Sequence, residues 1–163
     1  MNFAYLLLGS NLDNRSTALQ RAKEEISSAI GMITRESSVY ESEPWGFKSE
    51  QKFLNQVVMI ETDSKPLEVL SRILEIEIKL GRFRSGGQGY TSRLIDIDIL
   101  FYNDEIITED KLTIPHPKIP ERMFTLLPLS ELGRSMIHPG ARKSISDLMK
   151  ECPDKLSVYP YRP

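Results

Sequence analysis

The alternation of apolar and polar side chains along the chain predicts four β-strands. Three of them are short apolar or β-branched runs bounded by turn-forming residues, and the second shows a weaker alternation. The four segments are residues 3–8, 32–43, 53–62 and 94–102. A two-residue turn at Asn103 and Asp104 then predicts a hairpin from the fourth strand into residues 105–108.

Helical spacing of apolar residues predicts two helices between these strands. Residues 16–30 place their apolar side chains on one face and end at Gly31, and Pro66 starts a second helix that ends at Gly81. The buried stripe of the second helix is expected to consist of Leu67, Leu70, Ile73, Leu74 and Leu80. The order β-α-β-β-α-β predicts an α+β fold of the ferredoxin-like plan, in which helices pack on one face of an antiparallel sheet. An extra hairpin and a C-terminal helical tail complete the prediction.

Length and charge narrow the function classes. The chain has 163 residues, which predicts a single domain over residues 1–163. It carries 21 Lys plus Arg against 23 Asp plus Glu, and this balance disfavours both nucleic acid and a membrane surface as partners. The longest apolar run is far below the roughly 20 residues of a membrane span, and the single Cys152 excludes a Cys-based metal site. We expect a cytoplasmic protein that is a monomer or a weak homodimer.

Asp96 and Asp98 are the most informative pair of residues. Side chains alternate along a strand, so the two carboxylates share one face while Ile95, Ile97 and Ile99 share the other. The two Cα atoms are expected about 6.5–7 Å apart, and the charges repel unless a cation joins them. Carboxylates completed by waters and phosphates are typical ligands of Mg²⁺. A merely solvated face is the other interpretation, and the pattern alone leaves both open.

A cationic segment directly precedes this pair. Residues 82–93 contain Arg82, Arg84 and Arg93, three glycines and no acid. Guanidinium groups bind phosphate oxygens bidentately, and glycines give a loop backbone freedom. Next to a metal-binding pair, such a segment indicates a phosphoryl-transfer site with a closing lid, although the P-loop pattern is absent. A basic surface loop is the other interpretation.

Trp45, Phe53, Asn55 and Phe124 form a candidate pocket for a flat heterocycle. Phe53 and Asn55 share one face of their strand, so that an aromatic ring and an amide point the same way. This pairing suits a ring that stacks while hydrogen bonds read its edge. Aromatic residues also serve commonly as core, and Trp45, between a proline and a glycine, is expected in an exposed loop.

Glu77 and His116 each allow a structural and a functional interpretation. Glu77 lies at the edge of the apolar stripe of its helix, where a carboxylate usually stays in water; the other interpretation turns it toward a nucleotide pocket. His116 lies between two prolines in a rigid loop and is expected to contact phosphate or ribose rather than to act as a base. His138 has no partner at metal-ligand spacing.

Taken in register, these residues resemble the 6-hydroxymethyl-7,8-dihydropterin pyrophosphokinase family. The resemblance runs from about residue 4 to residue 129. It rests on the motifs at residues 8–11, 40–46, 53–55, 82–84, 93–100 and 114–117, followed by Arg122 and Phe124.

The resemblance implies transfer of pyrophosphate from ATP to the hydroxymethyl group of 6-hydroxymethyl-7,8-dihydropterin, with release of AMP, in folate biosynthesis. It implies two Mg²⁺ ions on Asp96 and Asp98, and phosphate contacts from Arg82 and Arg93 with help from Arg84. The ATP site that it implies also includes Leu70, Glu77, Ile99, Lys111, Thr113, His116 and Arg122. The pterin site that it implies consists of Phe53 and Phe124 as stacking rings, Asn55, and the segment of Ser42, Glu43, Pro44 and Trp45.

One motif departs from the family pattern. Family members usually carry Trp-Gly-Pro before the last arginine of the loop, whereas this chain has Tyr90, Thr91 and Ser92. The departure implies different lid dynamics rather than loss of activity. Two other hypotheses are a different Mg²⁺-dependent phosphoryl or nucleotidyl transferase and a non-catalytic ferredoxin-like binding module. The acid pair disfavours the module.

Overall fold

The computed structural model describes residues 1–46, 51–81 and 94–163. Within these residues the strands are β1 (Asn2–Ser10), β2 (Met32–Glu36), β3 (Tyr40–Ser42), β4 (Phe53–Thr62), β5 (Asp96–Tyr102), β6 (Ile107–Glu109), β7 (Leu112–Ile114), β8 (Ile137–His138), β9 (Lys143–Ser144) and β10 (Val158–Pro160). The helices are α1 (Arg15–Ala29), α2 (Pro66–Lys79), α3 (Met123–Gly133) and α4 (Ile145–Glu151), with a short 3₁₀ helix at Ile119–Glu121. None of the helices described is long and apolar enough to cross a membrane.

The main sheet is antiparallel and follows the predicted plan. Its strand order is β10-β3-β4-β1-β5, and β2 also pairs with β4. Counting β2 and β3 together as one interrupted strand, this is the ferredoxin-like β-α-β-β-α-β arrangement, so the predicted fold class is confirmed. β10 joins the sheet as an additional strand beyond β3.

Helices cover both faces of the sheet, not one face as predicted. One hydrophobic layer, with Leu6, Leu8 and Ile97, packs under α1 and α2. The other layer, with Leu7 and Phe101, packs against α3 and α4. The helical tail therefore supplies the second layer of the core, because alternation along the central strands gives them apolar side chains on both faces.

The strand predicted over residues 32–43 is interrupted. β2 ends at Glu36 and β3 begins at Tyr40. Between them the Ser37 hydroxyl accepts a hydrogen bond from the Val57 N–H at 3.0 Å, and the Ser37 N–H donates to the Val57 carbonyl at 2.9 Å. Ser37 thus bonds the interrupted segment to β4. The weak hydrophobic alternation of residues 32–43 did not reveal this interruption.

The buried stripe of α2 differs from the predicted one. Val69, Ile73 and Ile76 are its buried apolar residues, whereas Leu67 and Leu74 are 46% and 38% exposed. Large apolar residues on both sides of the helix left two possible buried faces in the sequence. Packing against β5 and α1 buries the face that carries Val69.

A hairpin forms after the predicted turn, but between different strands. β6 pairs with β7 rather than with β5. Asn103 turns as expected, with φ of 49°, but its N–H donates to the Phe3 carbonyl at 2.8 Å and its side chain accepts from the Phe3 N–H at 2.9 Å. These two bonds continue the pairing with β1, so the chain leaves β5 before the hairpin begins.

Candidate active site

One row of residues across the sheet connects the predicted metal and heterocycle sites. Gly9 on β1 lies opposite Asp96 on β5 and opposite Asn55 on β4. Residues directly opposite in antiparallel strands project to the same face, so Asp96 and Asn55 share the face that α3 and α4 cover. The glycine leaves the space between them open: a Cβ at Gly9 would lie 3.4 Å from Asn55 Oδ1 and 3.7 Å from Phe53 Cδ1.

The carboxylate pair has the predicted alternation. Asp96 and Asp98 are half-buried, while Ile95, Ile97 and Ile99 are buried in the layer under α1 and α2. β5 lies at the edge of the main sheet, where incoming oxygen ligands can approach the carboxylates. No group of three His, Cys, Asp or Glu side chains that could hold a metal ion occurs within the described ranges. The donor set is therefore two carboxylates, which suits a Mg²⁺ ion whose remaining ligands are waters and phosphate oxygens.

Glu77 reaches the same strand from α2. Its side chain is 1% exposed, and Oε2 accepts a hydrogen bond from the Ile97 N–H at 2.9 Å. The expectation that this carboxylate stays in water is wrong. The residue that it holds lies between Asp96 and Asp98, so Glu77 fixes the edge of the strand that carries both carboxylates; a contact with ATP stays a prediction.

His116 is held as a neutral imidazole. Burial lowers its pKa to about 4, the Arg122 and Lys118 charges add to this effect, and Asp96 opposes it. Nδ1 accepts a hydrogen bond from the Lys118 N–H at 3.1 Å, which leaves the proton on Nε2. The ring at the acidic edge is therefore a hydrogen-bond donor at neutral pH.

The predicted amide reader is buried and oriented. Asn55 is 2% exposed and donates from Nδ2 to the Ser42 hydroxyl at 2.7 Å. Phe53 is half-buried on the same face, and Pro44 is buried beside the pocket. Since Ser42 holds the amide nitrogen, Asn55 Oδ1 faces the open space at Gly9 as an acceptor.

An aromatic and cationic cluster forms between the residue after Pro44 and the start of α3. The guanidinium of Arg122 lies 4.5 Å from the centre of the Trp45 ring and 5.5 Å from that of Phe124. Lys118 Nζ also approaches the Trp45 ring, at 6.0 Å. Trp45 is thus half-buried under a cation rather than at an exposed loop position as predicted.

The structure describes some of the remaining predicted site residues and not others. Arg82, Arg84 and Arg93, together with the Tyr90, Thr91 and Ser92 departure, lie outside the described residues. Leu70 packs against the layer under α1 and α2, which contains Ile99, and the β6–β7 hairpin carries Lys111 and Thr113 as exposed residues.

Several residues around the pocket carried no signal that the sequence interpretation used. The Tyr40 hydroxyl on β3 donates to Glu131 Oε2 on α3, and Ser38 donates to the other carboxylate oxygen from its N–H and from its hydroxyl, both at 3.0 Å. From the C-terminal tail, Asp154 accepts from the Met123 N–H at the start of α3, and the Tyr159 hydroxyl donates to Glu41 on β3. These contacts join residues about 30 to 120 positions apart, and no local pattern encodes them.

The fold is α+β, and the acidic edge with its neighbouring cationic residues is consistent with an enzyme that transfers a phosphoryl-type group. Residues 5–134 match the model of the family described as 7,8-dihydro-6-hydroxymethylpterin-pyrophosphokinase (HPPK). The chain belongs to this family and is an ATP-dependent pyrophosphokinase, which confirms the resemblance found in the sequence.

Two curated relatives carry the name 2-amino-4-hydroxy-6-hydroxymethyldihydropteridine pyrophosphokinase. The Bacillus subtilis protein is 41% identical over 132 residues, which cover 80% of this chain and 78% of the relative. The Aquifex aeolicus protein is 38% identical over 151 residues, which cover 93% and 92% of the two chains.

Solved structures share the fold. A Plasmodium falciparum HPPK-DHPS crystallised with pteroate superposes with a TM-score of 0.76 at 19% identity. An HPPK-DHPS in complex with substrates gives 0.73 at 15% identity. The superposed regions include 92% and 91% of this chain but only 44% and 43% of the two solved chains. This chain therefore spans less than half of their length.

Proposed function

We propose that this chain transfers pyrophosphate from ATP to the hydroxymethyl group of 6-hydroxymethyl-7,8-dihydropterin and releases AMP, as a step of folate biosynthesis. The observation that supports this most strongly is the row Asp96–Gly9–Asn55, which spans the acidic edge and the amide pocket on one face of the sheet. The two outer residues are two strand spacings apart, about 10 Å. A pterin held at Asn55 would extend its hydroxymethyl group over Gly9 toward the carboxylates.

The carboxylates are proposed to hold two Mg²⁺ ions. When bound, Mg²⁺ neutralises phosphate charge and polarises the β-phosphoryl group. Asp96 and Asp98 supply fixed oxygen ligands from a strand edge that Glu77 holds in place at Ile97. The family's two-ion count comes to this chain through the resemblance, and the donor set of two carboxylates is consistent with it.

The pterin is proposed to lie between Phe53 and Phe124. Its pyrimidine edge carries donors and acceptors, and Asn55 Oδ1 offers an acceptor because Ser42 already takes the amide N–H. Glu43 and Trp45 continue the same wall. A buried amide discriminates strongly, because a ligand without a matching group leaves it unpaired.

ATP is proposed to bind along the β5 edge. Neutral His116 donates from Nε2, and Arg122 brings a permanent positive charge next to the pterin pocket. Leu70, Glu77, Ile99, Lys111 and Thr113 complete the proposed site, and Arg82, Arg84 and Arg93 would compensate phosphate charge as the loop closes. Catalysis then consists of positioning and charge compensation, without a protein nucleophile. A cytoplasmic location and a monomeric or weakly dimeric state stay predictions.

The test is the identity of the nucleotide product. The purified chain is incubated with ATP, Mg²⁺ and 6-hydroxymethyl-7,8-dihydropterin, and AMP and ADP are separated by chromatography. We expect AMP in amounts equal to pterin diphosphate and none when the pterin is omitted. ADP as the product would mean transfer of the γ-phosphate and would refute the proposal, whereas turnover with another hydroxyl acceptor alone would favour the different transferase.

A further inference from the structure

The segment after α4 contacts both walls of the pocket proposed for the pterin. We call residues 154–161 the C-terminal strap. It lies along the β3 edge of the main sheet, which is the edge opposite to β5 and its carboxylates. Its pairing with β3 therefore lies on the side of the proposed site away from the carboxylates.

The first wall is held by strand pairing. In the register of β10 with β3, Val158 lies opposite Ser42 and Tyr159 lies opposite Glu41. The Glu43 N–H donates to the Ser157 carbonyl at 3.4 Å, which continues this pairing to the residue before Pro44. The strap therefore borders the segment from Ser42 to Trp45. In this segment the Ser42 hydroxyl accepts the hydrogen bond that orients Asn55.

The Tyr159 hydroxyl joins both ends of the connection between β3 and β4. Lys52 Nζ donates to it at 2.7 Å, and the hydroxyl in turn donates to Glu41 Oε1 at 3.0 Å. Lys52 also forms an ion pair with Glu43 at 3.4 Å. Glu41 lies opposite Leu54, so Glu41 and Tyr159 project to the face of α1, opposite to the face of Asn55 and Phe53. Lys52 directly precedes Phe53, so this network joins the backbones of β3 and β4 from behind the pocket.

Arg15 supports the same network from α1. Its Nη1 donates to Glu41 Oε2 and to the Lys52 carbonyl, both at 2.7 Å. Its guanidinium also lies over the ring of Tyr161, 5.6 Å from the centre. Arg15 and Tyr159 thus bond to Glu41 directly, and Tyr161 and Lys52 contact these two partners. Three parts of the chain therefore fix the position of Glu41.

At the second wall the strap contributes a single carboxylate. Asp154 Oδ2 accepts from the Met123 N–H at 3.0 Å, and Oδ1 accepts from the Leu156 N–H at 3.0 Å. The residue at the start of α3, Arg122, provides no side-chain cap, so the strap supplies the cap for this helix. The next residue is Phe124, the proposed second stacking ring.

We propose that Asp154 and Tyr159 are positioning residues of the pterin site, and that the C-terminal strap sets the spacing between its two walls. Asp154 fixes the start of α3 next to Phe124, and Tyr159 fixes the backbones of β3 and of the start of β4 from the opposite face of the sheet. The proposal rests on the assignment of this pocket to the pterin. It concerns ground-state binding of the pterin and not the chemistry at Asp96 and Asp98.

The test compares pterin binding with nucleotide binding in the full-length protein. Titration calorimetry gives the Kd of 6-hydroxymethylpterin in the presence of Mg²⁺ and a non-hydrolysable ATP analogue, and separately the Kd of the analogue. We expect Tyr159→Phe and Asp154→Ala each to weaken pterin binding about threefold, since each removes partly exposed hydrogen bonds. The Kd of the analogue and kcat at saturating pterin should stay within about twofold.

Two controls match these variants. Tyr161→Phe removes a hydroxyl two residues away and keeps the ring over Arg15, and Lys155→Ala changes an exposed side chain next to Asp154. Both should bind pterin as the wild type does. A chain that ends at Ser157 removes β10 and should weaken pterin binding by about tenfold or more, and thermal unfolding shows whether it is folded.

The outcomes separate the strap from the pocket. Wild-type affinity in Tyr159→Phe and Asp154→Ala, or equal weakening of pterin and nucleotide, overturns the positioning role. If Asn55→Ala weakens pterin binding while the strap variants do not, the pocket assignment holds and only the strap proposal fails. If Asn55→Ala and the wild type bind pterin equally, the pocket assignment fails and the strap proposal falls with it.

Discussion

The two edges of the main sheet carry the two halves of the proposed site, and they are built differently. At the β5 edge, Asp96 and Asp98 lie on one strand and owe their common face to the alternation of a single segment. Toward the opposite edge, the proposed pocket around Asn55 combines β3, β4, the start of α3 and the C-terminal strap. One half is local in the sequence and the other is assembled over long sequence distances.

This difference predicts different responses to change. A carboxylate that binds a metal ion contributes directly to the chemistry, so its loss should reduce turnover while the pocket stays intact. A pocket that depends on several elements should lose affinity in smaller steps, because each contact contributes only part of the positioning. Single substitutions in each half can show whether turnover and pterin affinity separate in this way.

The largest effect is expected at the acidic edge. Asp96→Asn and Asp98→Asn should each lower kcat about a thousandfold, since removing a metal ligand costs several kcal/mol of transition-state stabilisation. Binding of 6-hydroxymethylpterin should change little. Steady-state AMP formation and pterin titration check both statements, with Asp104→Asn on the exposed turn as the matched control. A variant that loses pterin affinity and turnover together would show that the two halves are coupled.

The second effect is expected in the pocket. Asn55→Ala should raise the KM for the pterin about 30-fold, because a buried hydrogen-bonding group is lost, and should leave the KM for ATP unchanged. The matched control is Gln56→Ala on the opposite face of the same strand, where Nε2 donates to the Ser37 carbonyl at 2.8 Å. Gln56→Ala should reduce stability without a selective effect on the pterin, and an identical KM pattern in both variants would contradict the role of Asn55.

What could be predicted from the sequence follows the same division. The strand with Asp96 and Asp98, the face shared by Phe53 and Asn55, and the fold class all depend on period-two or helical spacing, which is written in adjacent residues. The bounds of β4 agree with the prediction at both ends. The common face of the two carboxylates was therefore accessible from pattern alone, whereas their role as metal ligands stays a prediction.

The pocket walls were not accessible in this way. Nothing near Glu77 in the sequence shows that its carboxylate accepts from the Ile97 N–H, and nothing near Trp45 shows the Arg122 guanidinium above its ring. The second helical layer was missed for a related reason, since α3 is apolar on most of its surface and its spacing identifies no single buried face. Tertiary contacts over long sequence distances decided each of these cases.

A smaller effect is expected at the point where the two halves meet. Gly9→Ala adds a Cβ at ordinary contact distance from Asn55 Oδ1 and Phe53 Cδ1, so the protein should fold with wild-type stability. The added methyl group fills the space between the pocket and the carboxylates, and the KM for the pterin should rise about tenfold. Gly31→Ala is the contrasting control, because its Cβ would lie 2.2 Å from the Glu61 carbonyl oxygen and should destabilise the fold instead. Unchanged pterin kinetics in folded Gly9→Ala would show that the substrate does not cross this position.

The smallest effect is expected where β3 meets α3, at Tyr40 and Glu131. Burial raises the pKa of the Glu131 carboxyl, but hydrogen bonds from Tyr40 and Ser38 outweigh it and lower the pKa below the usual 4.5. A lowered pKa in the folded state stabilises the protein at neutral pH, and this contribution is lost as the pH falls through that pKa.

Glu131→Gln should therefore lower the free energy of unfolding by about 1 kcal/mol at pH 7, because these bonds are partly exposed. The difference from the wild type should shrink below pH 4.5, as urea unfolding at a series of pH values can measure. A difference that stays constant down to pH 3 would mean that the ionised carboxylate is not what holds β3 to α3.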